Sequence, residues 1–258
     1  MNGYRGKMER FIAKYRECYL LLKPPRFLVY FYRMKHFSCF IFDLDGTLTH
    51  TNELIFATFN HVTEKYIGKT FTPVEITAMF GPPEEIAIER LVGKDKALEA
   101  INDFFEFYRN NLTRMAGAYD GTREILQYLK QQGVLMAVFT RKGRTSTLIT
   151  LDAIGFSPFF DCIVTGTDVV NHKPSAEGIK KILTAFDIEP GEALMVGDAV
   201  GDIKAAREAG VTMASVLWDS YGKDTILKMD VDYMFHSVEE FSRWVKLVVP
   251  ANGTIAVG

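Results

Sequence analysis

Asp43 and Asp45 are the residues best placed to do chemistry. They stand at i and i+2 in Phe40-Ile41-Phe42-Asp43-Leu44-Asp45-Gly46-Thr47-Leu48-Thr49, after an apolar run from Phe37 to Phe42 broken by Ser38. A run of β-formers bounded by a Gly-Thr turn reads as a buried strand. Residues i and i+2 of an extended segment share a face, so both carboxylates can address one point. Two like charges that close are costly unless a cation or a proton separates them. The pair therefore asks for a metal, a shared proton, or both. An isolated Asp-x-Asp is more often a solvated turn, so the rest of the chain must decide.

Three later stretches bring the complementary groups. The strand Val134 to Phe139 ends in Thr140-Arg141-Lys142, where a hydroxyl and the free amides of a turn can hold a phosphate oxygen. Asn171-His172-Lys173-Pro174 puts an ammonium ahead of a helix. Gly197-Asp198-Ala199-Val200-Gly201-Asp202 follows the strand Ala193 to Val196 and supplies two more carboxylates about one turn apart. Asp202 reads equally well as a helix-terminal acid; Asp198 does not. Hard oxygen ligands at Asp43, Asp45 and Asp198, with Asp202 behind them, suit Mg²⁺. Thr140, Arg141 and Lys173 are the expected phosphate-binding groups.

These groups must be positioned by the ends of strands. From Asp120-Gly121 onward strands and helices alternate, ending in a weak strand at Asp232 to Phe235 and a helix at Val238 to Val248. That βα repetition demands a parallel sheet, and chemistry in such sheets sits at the carboxyl ends of strands. Between Thr49 and Met115 the pattern is helical only: Asn52 to Tyr66, a helix opened by Thr72-Pro73-Val74-Glu75, a short one through Ile86, Ile88 and Leu91, and Ala97 to Met115. The expected organisation is a basic, aromatic N-terminal extension at 1–36, an α/β core at 37–50 and 117–249, a helical insert at 51–116 and a frayed tail at 250–258. The aromatics Phe104, Phe105, Phe107 and Tyr108 are expected to form the insert's own core. Phe80-Gly81-Pro82-Pro83, Arg90 and Lys94 are its candidates for facing the site.

With these four stretches in order, the chain resembles a haloacid dehalogenase-superfamily phosphatase, and most closely the phosphoglycolate phosphatase-like members. The likeness covers about residues 37 to 235, with the helical cap after Leu48 and re-entry at Tyr119-Asp120-Gly121. It implies a Rossmann-like core, Asp43 as nucleophile, Asp45 as acid/base, Thr140 and Lys173 on the phosphoryl group, and Asp198 and Asp202 as metal-binding acids. It also implies a small phosphorylated metabolite as substrate and Mg²⁺ as cofactor. Haloacid dehalogenases proper lack an acid at the position of Asp45, because a halide leaving group needs no proton. Two positions depart from the pattern: His50 stands where an acid is usual, and Ala199 where Ser is usual. A phosphomutase of the same fold, a pyrophosphatase and a non-catalytic binding protein remain as other readings.

Composition agrees with an enzyme of this kind. The 258 residues carry a formal net charge of −2, which gives no general attraction to nucleic acid. The charge is uneven: residues 1–36 hold nine Lys or Arg against two Glu, a surplus of +7 that leaves −9 for the rest. That leader reads as an accessory segment, a helix docked on its own core, or a membrane-surface or partner-binding segment. Cys18, Cys39 and Cys162 are odd in number and scattered, which fits a reducing, cytoplasmic setting without disulfides. No apolar run approaches a membrane span of roughly 18 residues. The sequence does not state an oligomeric state.

Overall fold

The computed structural model describes residues 37–79 and 82–251. The expectations for residues 1–36, for Phe80 and Gly81, and for most of the tail fall outside these described residues.

Strand β1 (Cys39–Phe42) is buried along its whole length, with every side chain at 0 or 1 % exposure. A strand buried on both faces needs neighbours on both edges and layers above and below. The sheet order is β5-β4-β1-β6-β7-β8, with β4 Leu135–Phe139, β5 Cys162–Val164, β6 Ala193–Gly197, β7 Thr212–Val216 and β8 Tyr233–Phe235. All five pairings are parallel. The chain runs outward from β1 to β4 and β5, then returns to the other side of β1 for β6, β7 and β8. The strand order therefore reverses at β1, the place where open α/β sheets bind ligands. Phe42 pairs with Val138 on one side and Val196 on the other. This register brings the loops after β1, β4 and β6 to one edge.

Alternation sorts the side chains of β1. Cys39 and Ile41 join an apolar cluster that includes Ile179, Ile182, Ile203 and Ala206 from helices Glu177–Phe186 and Val200–Ala209. Phe40 and Phe42 point to the other face, where Phe37 meets both Phe40 and Trp244 of the helix Val238–Val248. The helical layers match the βα reading, and the last helix keeps its expected bounds, Val238–Val248.

Two residues of β2 (Thr49–His50) pair antiparallel with two of β3 (Gly117–Ala118). Between these passages lie four helices: α1 (Asn52–Ile67), α2 (Pro73–Ala78), α3 (Glu84–Val92) and α4 (Lys94–Met115). Helix α1 ends at Gly68 in the left-handed conformation, φ +65°. Thr72 accepts the Glu75 N–H while Glu75 returns a carboxylate to the Thr72 N–H, so the expected capping box opens α2. On α4, Ala97, Ala100, Phe104, Tyr108 and Leu112 form one buried stripe. All of these except Ala97 meet Leu54, Phe59 and Val62 of α1 and Ile88 of α3 in a second apolar cluster. Phe104 and Tyr108 thus serve the insert's core as expected, while Phe107 stacks on His61 with ring centres 4.3 Å apart. After α5 (Thr122–Gln131) comes α6 (Arg144–Ala153) of the sheet unit, on which the insert rests, with Tyr108 and Thr150 sharing a hydrogen bond of 2.9 Å.

Candidate active site

Asp43 leaves β1 at its carboxyl end, with its N–H donated to Val196 O on β6. Its Oδ1 accepts the Leu44 N–H at 2.8 Å and lies 3.1 Å from Lys173 Nζ. Lys173 comes from the loop before helix α7 (Glu177–Phe186); its side chain is 1 % exposed. It also donates to Asp202 Oδ1 at 2.7 Å and sits over the Phe139 ring at 4.7 Å. Burial pulls its pKa down, and Asp202 and Asp43 more than reverse this, so the ammonium form is held.

Asp198 follows β6. Its Oδ1 accepts from Thr47 Oγ1 at 3.1 Å, which ties it to the loop after β1. That loop can approach because of Gly46: φ is +82°, and a Cβ there would stand 2.5 Å from Asp198 Oδ2. Gly197 does the same for Asp202, whose Oδ2 would lie 2.4 Å from an added Cβ. Asp202 is wholly buried in the first turn of α8 (Val200–Ala209), and its Oδ2 accepts the Ala199 N–H at 3.0 Å. Ala199 in place of Ser therefore still gives Asp202 a backbone partner.

Carboxylate oxygens of Asp43, Asp198 and Asp202 lie within 4.8 Å of one another. Three carboxylates against the single ammonium of Lys173 leave a formal surplus of two negative charges. Burial, then Asp202 and Asp45, push the Asp43 carboxyl up to about 6 against the pull of Lys173. Burial, then Asp43 and Asp202, hold Asp198 well above the usual carboxylate range. A hard divalent cation offsets such a surplus, and an all-oxygen donor set suits Mg²⁺. The residues present therefore fit the metal that the sequence called for.

The carboxylates that gather are those of Asp43, Asp198 and Asp202, whereas the sequence names Asp43, Asp45 and Asp198 as metal ligands. The Asp45 carboxylate is outside the cluster and turned to other partners. Thr51 Oγ1 donates to Oδ1, and Lys142 Nζ lies 3.4 Å from Oδ1 and 3.1 Å from Oδ2. The i, i+2 argument assumed an extended chain, but the strand ends at Phe42. The N–H groups of Leu48 and Thr49 already close a tight turn onto Leu44 O. Asp43 and Asp45 still border the same space, a cavity of about 190 Å³.

Thr140 and Arg141 line that cavity as well, next to Asp198. Thr140 donates its N–H to Val164 O and accepts the Lys142 N–H on Oγ1 at 3.2 Å, so the loop after β4 is tightly set. Arg141 forms no ion pair among the described residues. From the insert come Asn52, Ile55, Phe59, Thr77, Met79, Pro82, Glu84 and Ala87. Arg90 and Lys94 are exposed and do not line the cavity, contrary to expectation. On α3 the inward face is Glu84, Ala87 and Ile88; Arg90, six positions from Glu84, falls on the far side of a 3.6-residue helix.

Glu84 and Lys142 are the site residues that the sequence did not single out. Lys142 stood in plain view after Thr140. Glu84 gives no signal, since its partners lie about sixty positions away: its Oε2 accepts the Gly143 N–H at 2.7 Å and its Oε1 the Ser146 hydroxyl at 2.6 Å.

Acids and ammonium groups converge at strand ends beside a small cavity, an arrangement suited to phosphoryl transfer. The profile of haloacid dehalogenase-like hydrolases matches residues 40–216, and the chain belongs to that family. The pyrophosphatase PpaX of Bacillus velezensis is 32 % identical over 206 residues, covering 80 % of this chain and 95 % of its own. Among solved structures, CbbY of Rhodobacter sphaeroides in complex with phosphate has a TM-score of 0.68 at 20 % identity, over 80 % of this chain and 96 % of that one. A predicted phosphoglycolate phosphatase from Haemophilus somnus has a TM-score of 0.69 at 21 % identity, over 81 % and 97 %. These two share the fold. Among the described residues no helix is long and apolar enough to cross a membrane.

Proposed function

We propose that the protein is a Mg²⁺-dependent phosphatase that cleaves a small phosphorylated compound through an aspartyl phosphate. The observation that carries this reading is the placement of Asp43. One of its oxygens is held by Lys173 and the Leu44 amide, and Asp43 lines the cavity together with Asp198. In the first step an Asp43 oxygen attacks phosphorus, the bond from phosphorus to the leaving oxygen breaks, and Asp45 gives that oxygen its proton. In the second step water attacks phosphorus, its proton passes to Asp45, and the bond to Asp43 breaks. Lys173 and the hydroxyl of Thr140 face the charge that spreads over the phosphoryl oxygens. Bound Mg²⁺ would be held by Asp43 and Asp198, with Asp202 alongside, and would supply positive charge to a phosphoryl oxygen. Asp202 has its oxygens on Lys173 and the Ala199 amide, which favours a supporting part for it.

A phosphate monoester such as phosphoglycolate is one substrate the site suits. Pyrophosphate is a second, favoured by Arg141, a cation at the cavity without an ion-pair partner among the described residues. The PpaX relatives point the same way. The test is phosphate release from pyrophosphate and a panel of monoesters, with and without Mg²⁺, for the natural protein and Asp43→Asn. Metal-dependent release abolished in the variant is expected. No release from any of these compounds by folded, Mg²⁺-loaded protein would overturn the phosphatase reading.

A further inference from the structure

We propose that Lys142 is a positioning residue for the Asp45 carboxylate, and that Glu84 is the group through which the helical insert holds Lys142 in place. The inference rests on the phosphatase reading, in which Asp45 handles the proton. The site contains two buried ammonium groups that divide two carboxylates between them. Lys173 holds Asp43, and Lys142 holds Asp45. Lys142 belongs to the sheet unit, yet its side chain is only 2 % exposed, because the insert covers it. Glu84 Oε1 lies 3.9 Å from its Nζ, and the Tyr108 ring centre lies 4.9 Å away. Burial alone would pull the Lys142 pKa down, and Asp45, Tyr108 and Glu84 more than reverse it, so the cation is kept.

Glu84 is itself fixed. Both of its oxygens are taken by groups just after Lys142: the Gly143 N–H in the loop and the Ser146 hydroxyl in the first turn of α6. Gly143 leaves the room this needs: a Cβ there would stand 2.6 Å from Glu84 Oε2. A lysine side chain is long and flexible, and without such a frame it loses its fixed geometry. A general acid works only when it is aimed at the leaving oxygen within hydrogen-bond reach. Lys142 and Thr51 aim Asp45, and the frame for Lys142 comes from the insert.

Asp45 matters most when the leaving group is a poor one, which gives a readout that general damage does not move. Release of phenol from phenyl phosphate and of p-nitrophenol from p-nitrophenyl phosphate is measured in single turnover, with Mg²⁺, on the full chain. Lys142→Met should slow phenyl phosphate by about a hundredfold, the scale of lost acid catalysis, and p-nitrophenyl phosphate by no more than about threefold. Lys142→Arg should recover most of the loss. Glu84→Ala should show the same split, at about tenfold on phenyl phosphate. Melting curves establish which variants fold, and if Lys142→Met does not, Glu84→Ala decides. Equal slowing of both esters, or no slowing, in folded protein would overturn the inference. Phenol release by wild type no faster than by Asp43→Asn would instead sink the phosphatase reading, and this inference with it.

Discussion

Replacing Asp202 with Asn probes the charge balance under the active site. Asp202 is wholly buried, and Lys173 Nζ meets its Oδ1 at 2.7 Å and Asp43 Oδ1 at 3.1 Å. At an effective dielectric of about 20, these contacts amount to roughly 6 and 5 kcal/mol before desolvation is counted. Removing one partner of a buried pair costs about 3–5 kcal/mol net. Asn keeps the shape and one acceptor oxygen, so a loss of about 3 kcal/mol is expected, a fall in Tm of roughly 6–12 °C for a chain of this size. Thermal unfolding of metal-free protein measures it. The decisive form is a double-mutant cycle with Lys173→Met. That change alone leaves Asp43, Asp198 and Asp202 without their cation, and Asn at 202 then relieves part of the repulsion. The double variant should therefore be more stable than the sum of the two losses, by at least about 1.5 kcal/mol. Additivity, or a Tm change under about 2 °C for Asp202→Asn, would refute the account of Lys173 and Asp202 as a coupled buried pair.

Two further outcomes follow from the same cluster. Asp43 is pushed from an ordinary 3.8 up to about 6, so the folded protein holds its proton more tightly than the unfolded chain does. The Asp43 contribution to stability is then greatest below pH 3.8 and falls as pH rises to about 6, the reverse of a salt-bridged acid. Metal-free wild type should lose Tm over that window relative to Asp43→Asn, and the Tm gain from Mg²⁺ should be larger at pH 7.5 than at pH 5. A Mg²⁺ effect independent of pH would contradict the raised carboxyls. Gly46→Ala should weaken Mg²⁺ binding, measured by calorimetry, by about tenfold or more. The new Cβ would strike Asp198 at 2.5 Å, and φ of +82° costs a further 1 kcal/mol or so for a residue with a side chain. Unchanged affinity would mean that the loop and Asp198 do not depend on each other.

The strand-end acids and Thr140 are legible because parallel strands in register deliver their following residues to one edge; Lys173, well past the end of β5, is read instead from its place before a proline and a helix. Hydrophobic runs and turn residues are enough to place those ends. The aim of Asp45 was not legible, since a tight turn from Leu44 to Thr49 replaces the extended backbone that an i, i+2 rule assumes. The insert turns Glu84 and not Arg90 toward the cavity. A charged residue near a helix start looks like a solvated terminus, and only the packing of α3 on the loop after β4 makes Glu84 an inward group. Gly46 and Gly143 carry part of this information, as each leaves room for a carboxylate that comes from elsewhere in the chain.

The chain passes into the insert and out of it side by side, as Thr49 opposite Ala118 and His50 opposite Gly117. Opposed residues of an antiparallel pair lie only about 5 Å apart. From the side of the sheet, everything between them is a loop joining two adjacent points. The entropy of closing a loop grows only with the logarithm of its length. Helices can be lengthened, exchanged or rearranged there with little effect on the strand register that sets Asp43, Asp198 and Thr140. Such an anchorage lets the helices that border the cavity be replaced while Asp43, Asp198 and Thr140 stay where they are, provided that the new helices still supply a partner for Lys142.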